Sequence, residues 1–82
     1  MRTIKELLQI MLDNSKYFSY GLCNMVNTLY YFEYISFVEA NILKRYINEN
    51  PPIGFLGKGY YWEYGKLEPR IKWLEEHIKL QE

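Results

Sequence analysis

The chain has 82 residues, the length of a single domain, and its ten Lys and Arg residues balance ten Asp and Glu residues. This balance argues against a duplex-DNA binder, and a hydrophobic content of 49% argues against intrinsic disorder. The single cysteine excludes an intramolecular disulfide and a cysteine-rich zinc site, and it suits the reducing cytoplasm, where we expect the protein to act.

The first predicted helix has a clear start signal. Thr3 and Glu6 have the spacing of a capping box, in which each side chain accepts a hydrogen bond from the other residue's backbone N–H. Polar residues from Asp13 onward predict its end. The apolar residues in between fall on one helical face, which comprises Ile4, Leu7, Leu8, Met11 and Leu12.

Two more helices are predicted in the middle of the chain. One covers about residues 22–31 and has an apolar face formed by Leu22, Met25, Val26, Leu29 and Tyr30. The next begins at Ser36, because Ser36 and Glu39 repeat the capping-box spacing, and it ends at Asn50, before two prolines. Its predicted apolar stripe comprises Val38, Ile42, Leu43, Tyr46 and Ile47.

The segment at residues 51–66 combines glycines with aromatic residues, and we predict an ordered loop in which residues 60–64 favour a short strand. A last helix is predicted from near Pro69, which suits a first helical position, to about Leu80. Residues 1–82 are therefore expected to form one all-α domain, a compact bundle of about four short helices with an aromatic, glycine-rich loop before the last one.

The size of the chain and the polarity of its segments indicate whether it binds a membrane or other copies of itself. The longest uncharged stretch, residues 17–32, is too short and too polar to span a membrane. A domain this small, with neither disulfides nor a metal motif, often gains stability by association, so we expect a homo-oligomer.

A candidate ligand site lies around the start of the last helix. Arginine and lysine bind phosphate, and Tyr or Trp rings stack on bases, so this mixture is typical of a nucleotide site. The predicted ligand-binding residues are Lys58, Tyr61, Trp62, Lys66, Arg70 and Trp73. This hypothesis predicts that Arg70→Ala abolishes binding and leaves the fold intact.

Structural alternatives exist for each part of this site. Trp73 has the helical spacing of a core residue, and Arg70 has an internal carboxylate such as Glu33 or Glu63 as an alternative partner. The aromatic residues at 60–62 equally suit a subunit interface.

Catalytic signals are weak. His77 is the only histidine, and a lone helix histidine is usually solvent-facing or hydrogen-bonded, while Cys23 has the position of a small hydrophobe. The sequence contains no phosphate-loop, dinucleotide-binding or metal motif. We therefore predict a protein without enzymatic activity, metal or cofactor. An enzyme that degrades a nucleotide signal, which would depend on His77, is the least favoured alternative.

Several short motifs resemble a set of small tailed-phage proteins, and the resemblance extends over nearly the whole chain. The motifs are Thr3-Ile4-Lys5-Glu6-Leu7-Leu8, Gly21-Leu22-Cys23, and the block that contains Tyr61-Trp62, Gly65, Pro69-Arg70-Ile71-Lys72-Trp73-Leu74 and His77-Ile78. The resemblance implies a phage or prophage origin and an accessory protein that acts in the cytoplasm of an infected or lysogenic host.

Some small oligomeric phage proteins, such as the Tad and Lockin families, sequester nucleotide signals of bacterial immunity, including cyclic dinucleotides and ADP-ribose derivatives. By analogy, the leading hypothesis is an anti-defence protein that binds and withholds such a signal without cleaving it. The alternative is an interaction module whose aromatic loop docks on a host or phage protein and inhibits it.

Overall fold

A computed structural model describes residues 1–17, 21–50 and 67–82 of the chain. The described residues form four α-helices and a short 3-10 turn, and they include no strand. The elements are α1 (Ile4–Asn14), the 3-10 turn (Ser15–Tyr17), α2 (Leu22–Tyr31), α3 (Phe37–Glu49) and α4 (Leu67–Leu80). The all-α prediction is confirmed, whereas the predicted loop at 51–66 and its strand at 60–64 lie outside the described residues.

Both predicted capping boxes are present. The Thr3 hydroxyl accepts from the Glu6 backbone N–H at 3.1 Å, and the Glu6 carboxylate accepts from the Thr3 N–H at 2.9 Å. Ser36 and Glu39 repeat this arrangement at the start of α3 with the same two distances. The starts of α1 and α3 are therefore fixed by hydrogen bonds that the sequence spacing predicts.

The core is formed where α1 packs against α4 and α2 packs against α3, with α1 also in contact with α3. Its buried apolar side chains are Leu7, Leu8, Met11, Leu22, Met25, Val26, Leu29, Ile35, Ala40, Leu43, Ile47, Trp73 and Leu74. None of the described helices combines the length and the apolar character that a membrane span requires.

The apolar stripe predicted for α3 is wrong at Val38, which is 54% exposed. The buried face of α3 is Ala40, Leu43 and Ile47, and a residue two positions before Ala40 is rotated by roughly 200° around the helix axis. Val38 therefore lies on the opposite side of α3. Tyr30 of α2 is also predicted on a buried face, yet it is 45% exposed. It lies about 100° around the helix axis from the fully buried Leu29, at the edge of that face.

The last helix differs from its prediction in two respects. It begins at Leu67, two residues before the predicted start at Pro69, so the proline lies in its first turn, where it is tolerated. Its most buried described side chains are Arg70, Trp73 and Leu74, whereas Ile71 is only partly buried. Helical spacing predicts a core face of Ile71, Leu74 and Ile78 and a neighbouring face of Arg70, Trp73, His77 and Leu80. The buried face of α4 lies between these two faces.

The turn between α2 and α3 is a Schellman motif. The Glu33 N–H donates to the Tyr30 carbonyl at 3.0 Å, and the Tyr34 N–H donates to the Leu29 carbonyl at 2.9 Å. Glu33 has φ 65°, the left-handed conformation that usually belongs to glycine at this position. A residue with a side chain costs about 1–2 kcal/mol in this conformation. The sequence nevertheless has a glutamate at this position, where the backbone favours glycine.

Candidate functional site

Only two of the six predicted ligand-binding residues lie in the described part of the chain. Lys58, Tyr61, Trp62 and Lys66 fall in the segment that the structure does not describe. The other two, Arg70 and Trp73, are 1% and 3% exposed, and α4 carries both toward the interior. Their binding roles stay predictions, and their surroundings show what each side chain does within the fold.

Arg70 connects α4 to the end of α1. Its guanidinium Nη2 donates to the backbone carbonyl of Ser15, in the 3-10 turn that follows α1. The Ser15 hydroxyl in turn donates to the Met11 carbonyl at 2.9 Å. Burial lowers the pKa of Arg70 from its ordinary value, because desolvation disfavours the charged form. The hydrogen bond of this buried cation to Ser15 therefore contributes to the α1–α4 contact.

Trp73 connects α4 to the end of α3. Its indole Nε1 donates to the Asn50 carbonyl at 3.1 Å, and the Asn50 side-chain amide donates to the Tyr46 carbonyl at 2.8 Å. On its other side the indole ring stacks on the His77 ring, with centroids 4.2 Å apart and planes 26° apart. Trp73 is thus a core residue, which is the structural alternative raised by its helical spacing.

A polar network next to Trp73 was missed by the sequence analysis. The Tyr46 hydroxyl lies 2.9 Å from His77 Nδ1, and Gln81 Nε2 donates to the same hydroxyl at 2.9 Å. The Tyr46 ring meets Trp73 and His77 edge-on, at centroid distances of 6.1 Å and 5.6 Å. We call Tyr46, Trp73, His77 and Gln81 the Tyr46 cluster. The sequence drew attention to Trp73 and His77 but not to their contacts with Tyr46 and Gln81, because the hydrogen bonds join residues 31 and 35 positions apart.

Hydrogen bonding and burial both act on the imidazole of His77. The Tyr46 hydroxyl accepts from Gln81, and the imidazole tautomer decides which partner donates in the bond between that hydroxyl and His77 Nδ1. Burial lowers the pKa of His77, and the nearby Glu76 carboxylate opposes this shift without cancelling it. The imidazole is therefore neutral at pH 7, and its Nε2 bonds to no other described residue.

The Tyr46 cluster includes an exposed glutamine amide. One N–H of the Gln81 amide donates to the Tyr46 hydroxyl, while its oxygen and its second N–H bond to no other described residue. A glutamine amide matches the edge of adenine, which offers a ring-nitrogen acceptor beside an exocyclic amine donor. The arrangement is thus suited to hydrogen-bond a nucleobase edge. Among the residues that the structure describes, no group of three His, Cys, Asp or Glu side chains could hold a metal ion.

Comparisons with known proteins identify no relative of this chain. No family model matches it, and nothing matches among the curated proteins or the solved structures. The resemblance to small tailed-phage proteins therefore stays a prediction, and the function is argued from the residues themselves.

Proposed function

We propose that this protein binds a small phosphorylated nucleotide that contains adenine, and that it withholds this ligand without cleaving it. The Tyr46 cluster carries the proposal, because its exposed Gln81 amide offers the donor and the acceptor that an adenine edge requires. The cluster is held from both sides by α3 and α4, so the two groups are positioned before any ligand arrives. Such preorganisation reduces the entropy cost of binding.

The predicted site residues divide between direct and indirect roles in this proposal. Lys58 and Lys66 neutralise phosphate charge, and the aromatic rings of Tyr61 and Trp62 stack on the base or line the site. Arg70 and Trp73, which are buried, act by positioning α4 and thereby His77.

A thermal-shift screen tests the proposal, with cyclic di-AMP, ADP-ribose and AMP compared against their guanine counterparts. A ligand at 100 times its dissociation constant adds about 2.7 kcal/mol, which raises the melting temperature of a domain this small by roughly 10 °C or more. We expect a shift with at least one adenine ligand and a smaller shift with the matching guanine ligand. A flat screen would refute the proposal and favour the interaction-module alternative.

Matched variants locate the site by isothermal titration calorimetry. Gln81→Ala removes the amide and should weaken adenine binding at least about fivefold, since one hydrogen bond contributes roughly 1 kcal/mol. Lys79→Ala changes an exposed residue in the last turn of α4, two positions before Gln81, and should leave the affinity unchanged. Equal affinities for the two variants would place the site elsewhere.

Sequestration is distinguished from catalysis by the fate of the ligand. After prolonged incubation with the protein and then denaturation, chromatography should recover the bound nucleotide chemically unchanged. Recovery of a hydrolysis product that disappears in His77→Ala would contradict the proposal and establish the enzymatic alternative.

A further inference from the structure

The turn between α2 and α3 carries large apolar side chains that the fold leaves in solvent. Exposed fractions range from 45% at Tyr30 to 79% at Tyr31, and two edge-to-face ring pairs form, Tyr30 with Phe37 at 5.7 Å and Tyr31 with Phe32 at 5.5 Å. We call this surface the aromatic corner, which comprises Tyr30, Tyr31, Phe32, Tyr34, Phe37 and Val38. Isolated exposed apolar residues are ordinary, but such a concentration in residues 30–38 marks an association surface.

The aromatic corner continues along α3 as a groove. The groove has a volume of about 380 Å³ and is lined by Phe37, Val38, Asn41, Ile42 and Arg45. These residues lie on the side of α3 that faces away from the core, so the helix has one apolar face that is packed and a second that is open.

Charges of opposite sign lie at the two ends of this surface. Glu33 is exposed in the turn before α3, and Arg45 lies at the far end of the groove, about two helical turns after Phe37. Arg45 forms a 3.7 Å ion pair with Glu49, but both side chains are mostly exposed, so this pair contributes little and can exchange partners. A surface with an acid at one end and a base at the other is complementary to itself after a two-fold rotation.

We propose that the aromatic corner is where a second copy of this chain binds, in a two-fold dimer that sets Glu33 against the partner subunit's Arg45. If each aromatic side chain has a surface of about 200 Å², the exposed fractions give the aromatic corner on the order of 600 Å² of accessible aromatic surface. A stable complex buries roughly 800 Å² on each partner. Side chains around the corner supply the remainder. The zero net charge of the chain means that two copies do not repel each other.

Sedimentation velocity over a concentration series tests the apolar part of the interface. The unaltered protein should form a dimer, and Phe37→Gln should weaken it about a hundredfold, because each substitution acts twice across a two-fold axis and each loses about tenfold. Tyr17→Gln, which alters a ring that is 78% exposed outside the corner, is the matched control and should dimerise normally. Circular dichroism confirms that both variants remain folded.

A charge exchange tests the orientation. Glu33→Arg and Arg45→Glu should each weaken self-association, whereas an equimolar mixture of the two should recover a dimer, because both contacts then join opposite charges. Glu33→Gly removes the carboxylate in a backbone conformation that glycine prefers, so its loss of dimer cannot come from misfolding.

If the protein is a monomer at every concentration, the proposal is wrong. This result would also be seen if the aromatic corner binds a different protein. A dimer that survives Phe37→Gln, or charge variants that do not complement each other, would equally overturn it. None of these readouts depends on nucleotide binding, so the two proposals fail separately.

Discussion

Replacement of Arg70 by alanine tests whether this arginine is a structural residue. The change leaves the Ser15 carbonyl without its guanidinium donor, at a cost of about 1–3 kcal/mol, and it opens a cavity where a side chain that is 1% exposed was packed. Truncation of a long buried side chain to alanine costs roughly 2–5 kcal/mol, and removal of a desolvated charge offsets part of this loss. We expect a net loss of about 3 kcal/mol.

Urea unfolding, followed by circular dichroism, measures the loss, and two variants divide it into parts. Arg70→Met refills most of the volume with an unbranched apolar chain, so only the missing hydrogen bond remains, and removal of the desolvated charge offsets part of its cost. We expect this variant to lose about 1 kcal/mol. Lys72→Ala, an exposed position on the same helix, should change stability by less than about 0.5 kcal/mol. Because so small a domain has only about 3–5 kcal/mol in total, Arg70→Ala should be close to unfolding.

The opposite outcome would refute this reasoning. If Arg70→Ala is as stable as Lys72→Ala, the buried hydrogen bond to Ser15 does not contribute to the fold. Loss of nucleotide binding with full stability would then restore Arg70 as a direct phosphate ligand, which is what the sequence hypothesis predicts.

Two further predictions concern pH. Hydrogen bonds from the backbone N–H groups of Ser36 and Arg2 lower the pKa of Glu39. The stabilisation by this carboxylate is therefore present above the usual carboxyl pKa and is lost as the pH falls through the lowered value. In thermal melts at a series of acidic pH values, Glu39→Gln should reduce the dependence of the melting temperature on pH. Because burial lowers the pKa of His77, an NMR titration of its imidazole should give a midpoint below the ordinary value of about 6.5. The free energy of unfolding should decline as the pH falls below about 6.5. A titration midpoint above about 6.5 would contradict a neutral imidazole at pH 7.

The parts of the fold that follow from local chemistry were predictable. Capping boxes and helical periodicity act between residues three or four positions apart, so the starts of α1 and α3 and the span of α2 could be predicted from the sequence. Val38 shows the limit of periodicity, because a helix with apolar residues on two faces does not reveal which of them is covered.

The candidate site was less accessible for a physical reason. The contact of Arg70 with Ser15 joins residues 55 positions apart, and that of Tyr46 with His77 joins residues 31 positions apart. No sequence spacing specifies such pairs, since they exist only after the helices have packed. The residue types of Arg70 and Trp73 suggest that they bind a ligand, but only the tertiary structure shows that both side chains are buried.

The hydrogen bond from Trp73 to the Asn50 carbonyl has a consequence for how this chain can vary. It joins the last residue before segment 51–66 to the helix that follows this segment, so the four helices themselves hold the two ends of the segment in place. The entropy cost of closing a chain between two fixed ends grows slowly with its length, by only about 0.6 kcal/mol for each doubling. The segment that carries Lys58, Tyr61, Trp62 and Lys66 can therefore be lengthened, shortened or exchanged for another at little expense to the helices, and binding specificity can diverge while the bundle stays the same.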